Sequence, residues 1–138
     1  MPRKKSPAKV KPKKRVVYRS GFEHKLAEYL RSRDVPFAFE TLKLAYTVPS
    51  SKHIYTPDFI LPNGVIIEVK GKLDRDTRKK MALVREQHPD LDIRFLLMRD
   101  NKISKTSKTR YSDWLTKHGY DYHVSLEGHI PEEWYRDV

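Results

Sequence analysis

One stretch of the chain, IYTPDFILPNGVIIEVKG at residues 54–71, constrains the fold more than any other. Ile54–Leu61 and Val65–Val69 read as strands, the second apolar enough to be central in a sheet, and Pro62-Asn63-Gly64 reads as the turn between them. The length of that turn sets the register. A two-residue loop at Asn63-Gly64 pairs Asp58 with Val69 and turns the Asp58 carboxylate away from Glu68. A three-residue loop over Pro62-Asn63-Gly64 pairs Leu61 with Val65, and therefore Asp58 with Glu68. The residue types favour the second: Pro62 suits the first central position of a type I turn, Asn63 the next, and Gly64 the left-handed position of the accompanying bulge. Side chains alternate along a strand, so Glu68 and Lys70 share a face while Val69 points the other way. The expected result is two carboxylates directly opposite each other with a lysine beside them.

Like charges directly opposite are destabilising in a sheet, so an otherwise apolar hairpin carrying Asp58 against Glu68 needs a reason. A bound divalent cation supplies one. The chain has no Cys, and this hairpin has no His, which argues for an oxygen-ligated ion such as Mg²⁺ or Mn²⁺ and against zinc. Such an ion polarises a phosphodiester and lowers the pKa of a bound water. Lys70 would orient or activate that water, or balance charge on the phosphate; both roles suit its place. Pro-Asp…Glu-x-Lys is a loose pattern by itself, and an exposed Glu68–Lys70 pair beside an Asp58 that merely follows a proline would need no chemistry. The turn, the apolar strand around Glu68 and the charge at the N-terminus argue for the chemical reading.

Around this hairpin the periodicity predicts a mixed sheet flanked by helices, an α/β or α+β domain. Ser20 followed by Glu23 is a capping-box pattern opening a helix over about 21–33, with Phe22, Leu26, Tyr29 and Leu30 on one face. Glu23 is open to two readings, closing that helix or serving as a third metal carboxylate. Phe37–Val48 alternates as a strand up to the break at Pro49-Ser50-Ser51. Asp76 or Thr77 opens a second helix that runs to His88 and stops at Pro89, and Leu91–Met98 is a further strand. Residues 100–108 form a polar, basic loop, Tyr111–His118 a short helix with Gly119 in the terminating position, and Tyr120, Tyr122, Val124, Ile130 and Trp134 pack on the domain edge. The histidines at 24, 53, 88, 118, 123 and 129 show no metal-ligand spacing, and Trp114 and Trp134 read as packing residues.

Charge divides the 138 residues unequally. The formal net charge is +11, yet residues 1–15 (MPRKKSPAKVKPKKR) hold eight Lys or Arg and no acid, leaving 21 basic against 18 acidic residues in the rest. Such a segment self-repels and has too little apolar surface to fold alone. Counterion release makes it a partner for a polyanion, and nucleic acid is the natural one. It lacks the apolar face of a membrane-bound helix, and no run approaches the ~20 apolar residues needed to cross a bilayer. The absence of Cys suits a reducing compartment, and a cytoplasmic location is expected.

Taken together, Arg19-Ser20-Gly21-Phe22-Glu23, Tyr55-Thr56-Pro57-Asp58-Phe59, Leu61-Pro62-Asn63-Gly64, Glu68-Val69-Lys70-Gly71 and the run Arg85 to Arg94 resemble the endonuclease I family of T-seven-type phages over about residues 16–135. That family comprises four-way (Holliday) junction resolvases with a restriction-endonuclease-like core of the PD-(D/E)xK type. The resemblance implies Glu23, Asp58, Glu68 and Lys70 as catalytic residues. It implies Mg²⁺ or Mn²⁺, two per site, on Asp58, Glu68, Glu23 and the Val69 backbone carbonyl. It further implies a domain-swapped homodimer acting on branched DNA in a host cytoplasm: residues 1–17 as a DNA-contacting arm, 18–138 as one nuclease domain, with 18–47 exchanged, 48–53 as the bridge and 54–138 as the remainder of the core. Arg3, Lys4, Lys5, Lys9, Lys11, Lys13, Lys14, Arg15 and Arg19 are the expected DNA contacts. The chain stops at Arg136-Asp137-Val138, where relatives continue into a basic tail, and its N-terminal arm is more basic, so DNA contacts are expected to be redistributed between the ends. Two other readings stand beside this one: a less selective nuclease of the same fold on duplex or mismatched DNA, and a non-catalytic basic nucleic-acid binder.

Deleting residues 1–17 should weaken DNA binding and flatten its salt dependence, each lost phosphate contact removing about 0.9 from the log–log slope. An unchanged slope in a salt titration would show that the arm does not touch DNA.

Overall fold

A computed structural model describes residues 17–48 and 51–136 of the chain. The basic residues Arg3, Lys4, Lys5, Lys9, Lys11, Lys13, Lys14 and Arg15, and the bridge residues Pro49 and Ser50, lie outside the described residues. The elements run in the order α1 (Gly21–Ser32), β1 (Ala38–Phe39), β2 (Leu44–Val48), β3 (Ser51–Tyr55), β4 (Phe59–Ile60), β5 (Ile66–Lys70), α2 (Arg75–Gln87), β6 (Ile93–Leu97), α3 (Tyr111–Lys117) and β7 (Asp121–Val124), followed by a 3₁₀ turn at Glu132–Trp134.

Five of the strands form one mixed sheet in the order β1-β4-β5-β6-β7. The first three pair antiparallel, and β5, β6 and β7 pair parallel. Parallel neighbours need a crossover, which α2 supplies between β5 and β6 and α3 between β6 and β7. The alternation along β5 divides the core. Ile67 and Val69 join Phe22, Leu26, Leu30, Phe59 and Trp134 in one buried cluster. Ile66 joins Phe95, Met81, Val84, Tyr111 and Leu115 in the other. Strand β5 is therefore covered on both faces, as its continuous apolar run predicts.

The hairpin register follows the turn. Phe59 pairs with Ile67 and Ile60 with Ile66, which puts Asp58 opposite Glu68. Leu61 N–H donates to Val65 O at 2.9 Å and Gly64 N–H to Leu61 O at 2.9 Å, closing a three-residue loop. Gly64 takes φ +91°, the left-handed position expected of it. Asn63 secures the loop twice, accepting from Val65 N–H and donating to Trp134 O.

Two expected strands are each broken in the middle. The alternating run Phe37–Val48 splits into β1 and β2 at Glu40, whose φ of +55° turns the chain out of the main sheet. Ile54–Leu61 splits at Thr56-Pro57-Asp58, because Pro57 has no N–H for a ladder. The detached halves β2 and β3 pair with each other from Leu44–Tyr55 to Val48–Ser51 as a separate ribbon. That ribbon is tied to α2 by reciprocal bonds between the Gln87 amide and the Thr47 backbone. Helix α2 begins earlier than expected, since Asp74 rather than Asp76 or Thr77 caps it, accepting from Thr77 N–H. The short strand β7 was expected only as edge packing; its D-Y-H-V run has too few apolar residues to declare a strand by pattern. Tyr120, Ile130 and Trp134 are buried and Tyr122 packs against the second cluster as expected, whereas Val124 is exposed at the sheet edge.

Nothing lies within 4 Å of a side chain added at Gly64, so only the backbone conformation opposes substitution there. Gly64→Ala should lose about 1–2 kcal/mol in urea unfolding and Gly64→Asn distinctly less, because Asn tolerates left-handed backbone. Equal losses would assign the effect to something other than φ.

Candidate active site

The hairpin, the start of α1 and the bend after β1 meet at the end of β5. Asp58 is 1% exposed and Glu68 4% exposed, so both carboxylates are removed from water. Each is held by a specific donor. Asp58 Oδ2 accepts from Val69 N–H at 2.9 Å, a bond that clamps the residue after Pro57 onto the neighbouring strand. Glu68 Oε1 accepts from the buried Tyr55 hydroxyl at 2.6 Å. Glu68 Oε2 faces Lys70 Nζ at 3.5 Å, as expected for residues two apart on one strand face. Burial, then the charge of Glu68, pushes Asp58 up to about 8, with the Val69 N–H acting in the opposite direction. Burial and the same Glu68 charge hold the Tyr55 phenol protonated well above its ordinary range, so it remains a donor to Glu68.

Helix α1 brings Glu23 to this end of the sheet. Ser20 Oγ accepts from Glu23 N–H at 3.1 Å, one half of the expected capping box. The other half is displaced by one residue: Glu23 Oε1 accepts from Arg19 N–H at 2.8 Å instead of from Ser20. Glu23 is 5% exposed, and it closes the helix while presenting an oxygen toward Asp58. The contact is made within a single chain.

Two further side chains complete the arrangement, and neither role was visible in the sequence. Glu40, at the left-handed bend, is fixed by its N–H to Asp58 O at 3.0 Å. Glu23, Glu40 and Asp58 each present one oxygen within 4.8 Å of the others, the compact acidic trio among the described residues. The guanidinium of Arg19, expected as a DNA contact, enters this trio: its Nη2 lies 2.6 Å from Glu40, 3.0 Å from Asp58 and 3.7 Å from Glu23. Burial opposes its charge, but Glu40, Asp58 and Glu23 outweigh burial and raise the Arg19 pKa.

Arg19, Glu23, Asp58 and Glu68 line an open cleft of about 460 Å³ whose rim carries Lys70, Lys72 and Lys80. Lys80 Nζ lies 5.2 Å from the Tyr55 ring centroid, so the phenol that holds Glu68 also supports a rim cation. Tyr55 and Lys80 are functional candidates that alternation alone does not mark, because each looks like an ordinary strand or helix residue. The donor set fits a hard divalent cation: several carboxylate oxygens, no sulfur or imidazole, and a positive guanidinium already accommodated among them. Val69, which gives its N–H to Asp58, also lines the cleft. No helix among the described residues is long and apolar enough to cross a membrane.

Comparison with known proteins places the chain by sequence. The family model for phage endonuclease I matches residues 5–138. The chain is similar to Endonuclease I of Escherichia phage T7, with 44% identity over 121 residues covering 87% of this chain and 79% of the relative. It is also similar to Endodeoxyribonuclease 1 of Enterobacteria phage T3, with 48% identity over 103 residues covering 74% of this chain and 68% of the relative.

The raised Asp58 pKa has a consequence for stability. A free aspartate titrates near 3.8 and Asp58 near 8, so the folded state prefers the protonated form. The stability it contributes is fully present below about 4 and is lost as pH rises toward about 8. In chelator, the melting temperature of the wild type should therefore fall relative to Asp58→Asn across that window. A difference independent of pH would show that Asp58 is ionised throughout.

Proposed function

The chain belongs to the phage endonuclease I family, and from that membership we propose that it is a metal-dependent endodeoxyribonuclease resolving four-way (Holliday) and other branched DNA junctions by paired hydrolysis near the branch point. The observation that carries the chemistry is the buried opposition of Asp58 and Glu68, beside Glu23 and Lys70, in a cleft rimmed by lysines. Buried like charges are maintained against their own repulsion only where something requires them.

Asp58, Glu68 and Glu23, with the Val69 backbone carbonyl, would hold Mg²⁺ or Mn²⁺, two ions per site. Bound there, the metal supplies Lewis acidity to the phosphodiester and acidifies a coordinated water. The protein's own groups set the geometry. Val69 N–H fixes Asp58, the Tyr55 hydroxyl fixes Glu68, and Lys70, 3.5 Å from Glu68, stands where it can orient the attacking water or meet charge on the phosphate. Lys72 and Lys80 draw the DNA backbone to the rim, and residues 1–17 extend that contact as a basic arm.

Paired cutting needs two sites, and a homodimer supplies them. In the proposed assembly residues 18–47 of each protomer exchange about the bridge at 48–53, while 54–138 form the rest of the core. The separate β2–β3 ribbon supports this, since it joins the exchanged segment to the rest of the core outside the main sheet. A phage enzyme of this kind would act in the host cytoplasm.

The test compares a four-way junction with a linear duplex of matched sequence, with Mg²⁺ or Mn²⁺ and with chelator. Junction cleavage should dominate and chelator should abolish it. Glu68→Ala should lose roughly 10²–10³-fold in cleavage, the scale on which removing a principal electrostatic group is felt, while junction binding survives. Equal cutting of both substrates would refute junction selectivity, and a wild type that never cuts would refute the enzyme.

A further inference from the structure

We propose that Arg19 is the resident cation of this site, exchanging with the divalent ion for the same carboxylates, and that Glu40 is the seat that holds it. The inference rests on the reading above that a divalent ion binds at Asp58 and Glu23. It goes beyond it by assigning two residues and a competition.

With Asp58 ionised, as a cation on it requires, three carboxylate oxygens within 4.8 Å of one another repel strongly unless a positive charge lies between them. Arg19 Nη2 provides that charge, with separations of 2.6, 3.0 and 3.7 Å to Glu40, Asp58 and Glu23. A guanidinium does not deprotonate in proteins, so the charge leaves only if the side chain moves. The side chain is 67% exposed, so it reaches the trio from the solvent side while its backbone stays fixed on Glu23. A hard ion takes its oxygen ligands at 2.0–2.6 Å, and the Asp58 oxygen now facing Arg19 cannot serve both cations.

Glu40 explains why the guanidinium rests there. Its backbone is left-handed at φ +55°, a conformation that costs a non-glycine residue energy and persists where the surroundings enforce it. Its Oε2 is buried and accepts no aligned hydrogen bond, yet makes the shortest ion contact of Arg19. It lies outside both the hairpin and α1, and its N–H is pinned to Asp58 O. The structure thus spends a strained backbone on placing one carboxylate opposite Arg19. Once displaced, the guanidinium lies free at the cleft rim, where a phosphate is its natural partner. Metal and DNA then each favour the state with Arg19 outside, so each should tighten the other.

Calorimetric titration of Mn²⁺ into the full chain without DNA tests this. Arg19→Gln should tighten Mn²⁺ affinity about 10-fold by removing the competitor. Arg19→Lys, which keeps a charge but loses the fork, should tighten it about 2–3-fold and guards against a neutral variant that fails to fold. Glu40→Gln should tighten affinity modestly when Arg19 is present and leave it unchanged in the Arg19→Gln background. Unchanged or weakened affinity in both Arg19 variants overturns the competition. Weakened affinity on adding Glu40→Gln to Arg19→Gln makes Glu40 a ligand of the ion and overturns its assignment as a seat. A wild type that binds no Mn²⁺ at all removes the metal reading itself, and the exchange with it.

Discussion

The constraint on which the rest of this structure depends is the burial of Asp58 opposite Glu68 at the end of the β4–β5 hairpin. Removing a carboxylate from water is costly unless hydrogen bonds and opposite charge replace the lost solvation. Each compensation recruits a different part of the chain. Val69 N–H comes from the partner strand, the Tyr55 hydroxyl from the ribbon strand, Lys70 from the same strand face and Arg19 from the residues before α1. Unrelated segments are thereby drawn to one point, and the two cores on either face of β5 make that point rigid.

The backbone bends where these demands meet. Pro57 interrupts the ladder just before Asp58, which frees the Asp58 carboxylate to turn toward Val69. On the neighbouring strand, Glu40 adopts left-handed geometry just where β1 ends, and its N–H donates to Asp58 O. These two interruptions cast β2 and β3 out of the main sheet as a ribbon. The site and the ribbon therefore have a common origin: the same breaks that assemble the carboxylates produce the segment about which an exchange of α1 between protomers is proposed. Four carboxylates face two cations here, Arg19 and Lys70, and that surplus of negative charge inside a lysine-lined rim suits the binding of a metal and then a phosphate backbone.

Much of the site was legible because it depends on local rules. Pro62-Asn63-Gly64 specifies a turn, the turn specifies a register, and the register opposes Asp58 to Glu68. The helices were similarly legible from caps and periodicity, with α2 misplaced at its start because Asp74 and Asp76 are both credible caps and only the Thr77 N–H contact chooses between them. The breaks at Glu40 and Pro57 were harder. Alternation continues across both, so the pattern reads as unbroken strand. Glu40 in particular carries no local mark, since a glutamate is not a residue type that announces a left-handed bend.

By itself, then, the sequence determined the hairpin, its register and the pairing of two carboxylates with Lys70, because turn chemistry and strand alternation act between near neighbours. It also determined the division of charge between a basic arm and a nearly balanced remainder. Only the tertiary structure decided that Glu40 and Arg19 belong with Asp58 and that Tyr55 holds Glu68. It likewise decided that Glu23 both caps its helix and faces the site. Those contacts join residues brought together by the packing of α1, β1 and the ribbon around the hairpin, and no spacing along the chain encodes the end of a side chain meeting another across a cleft.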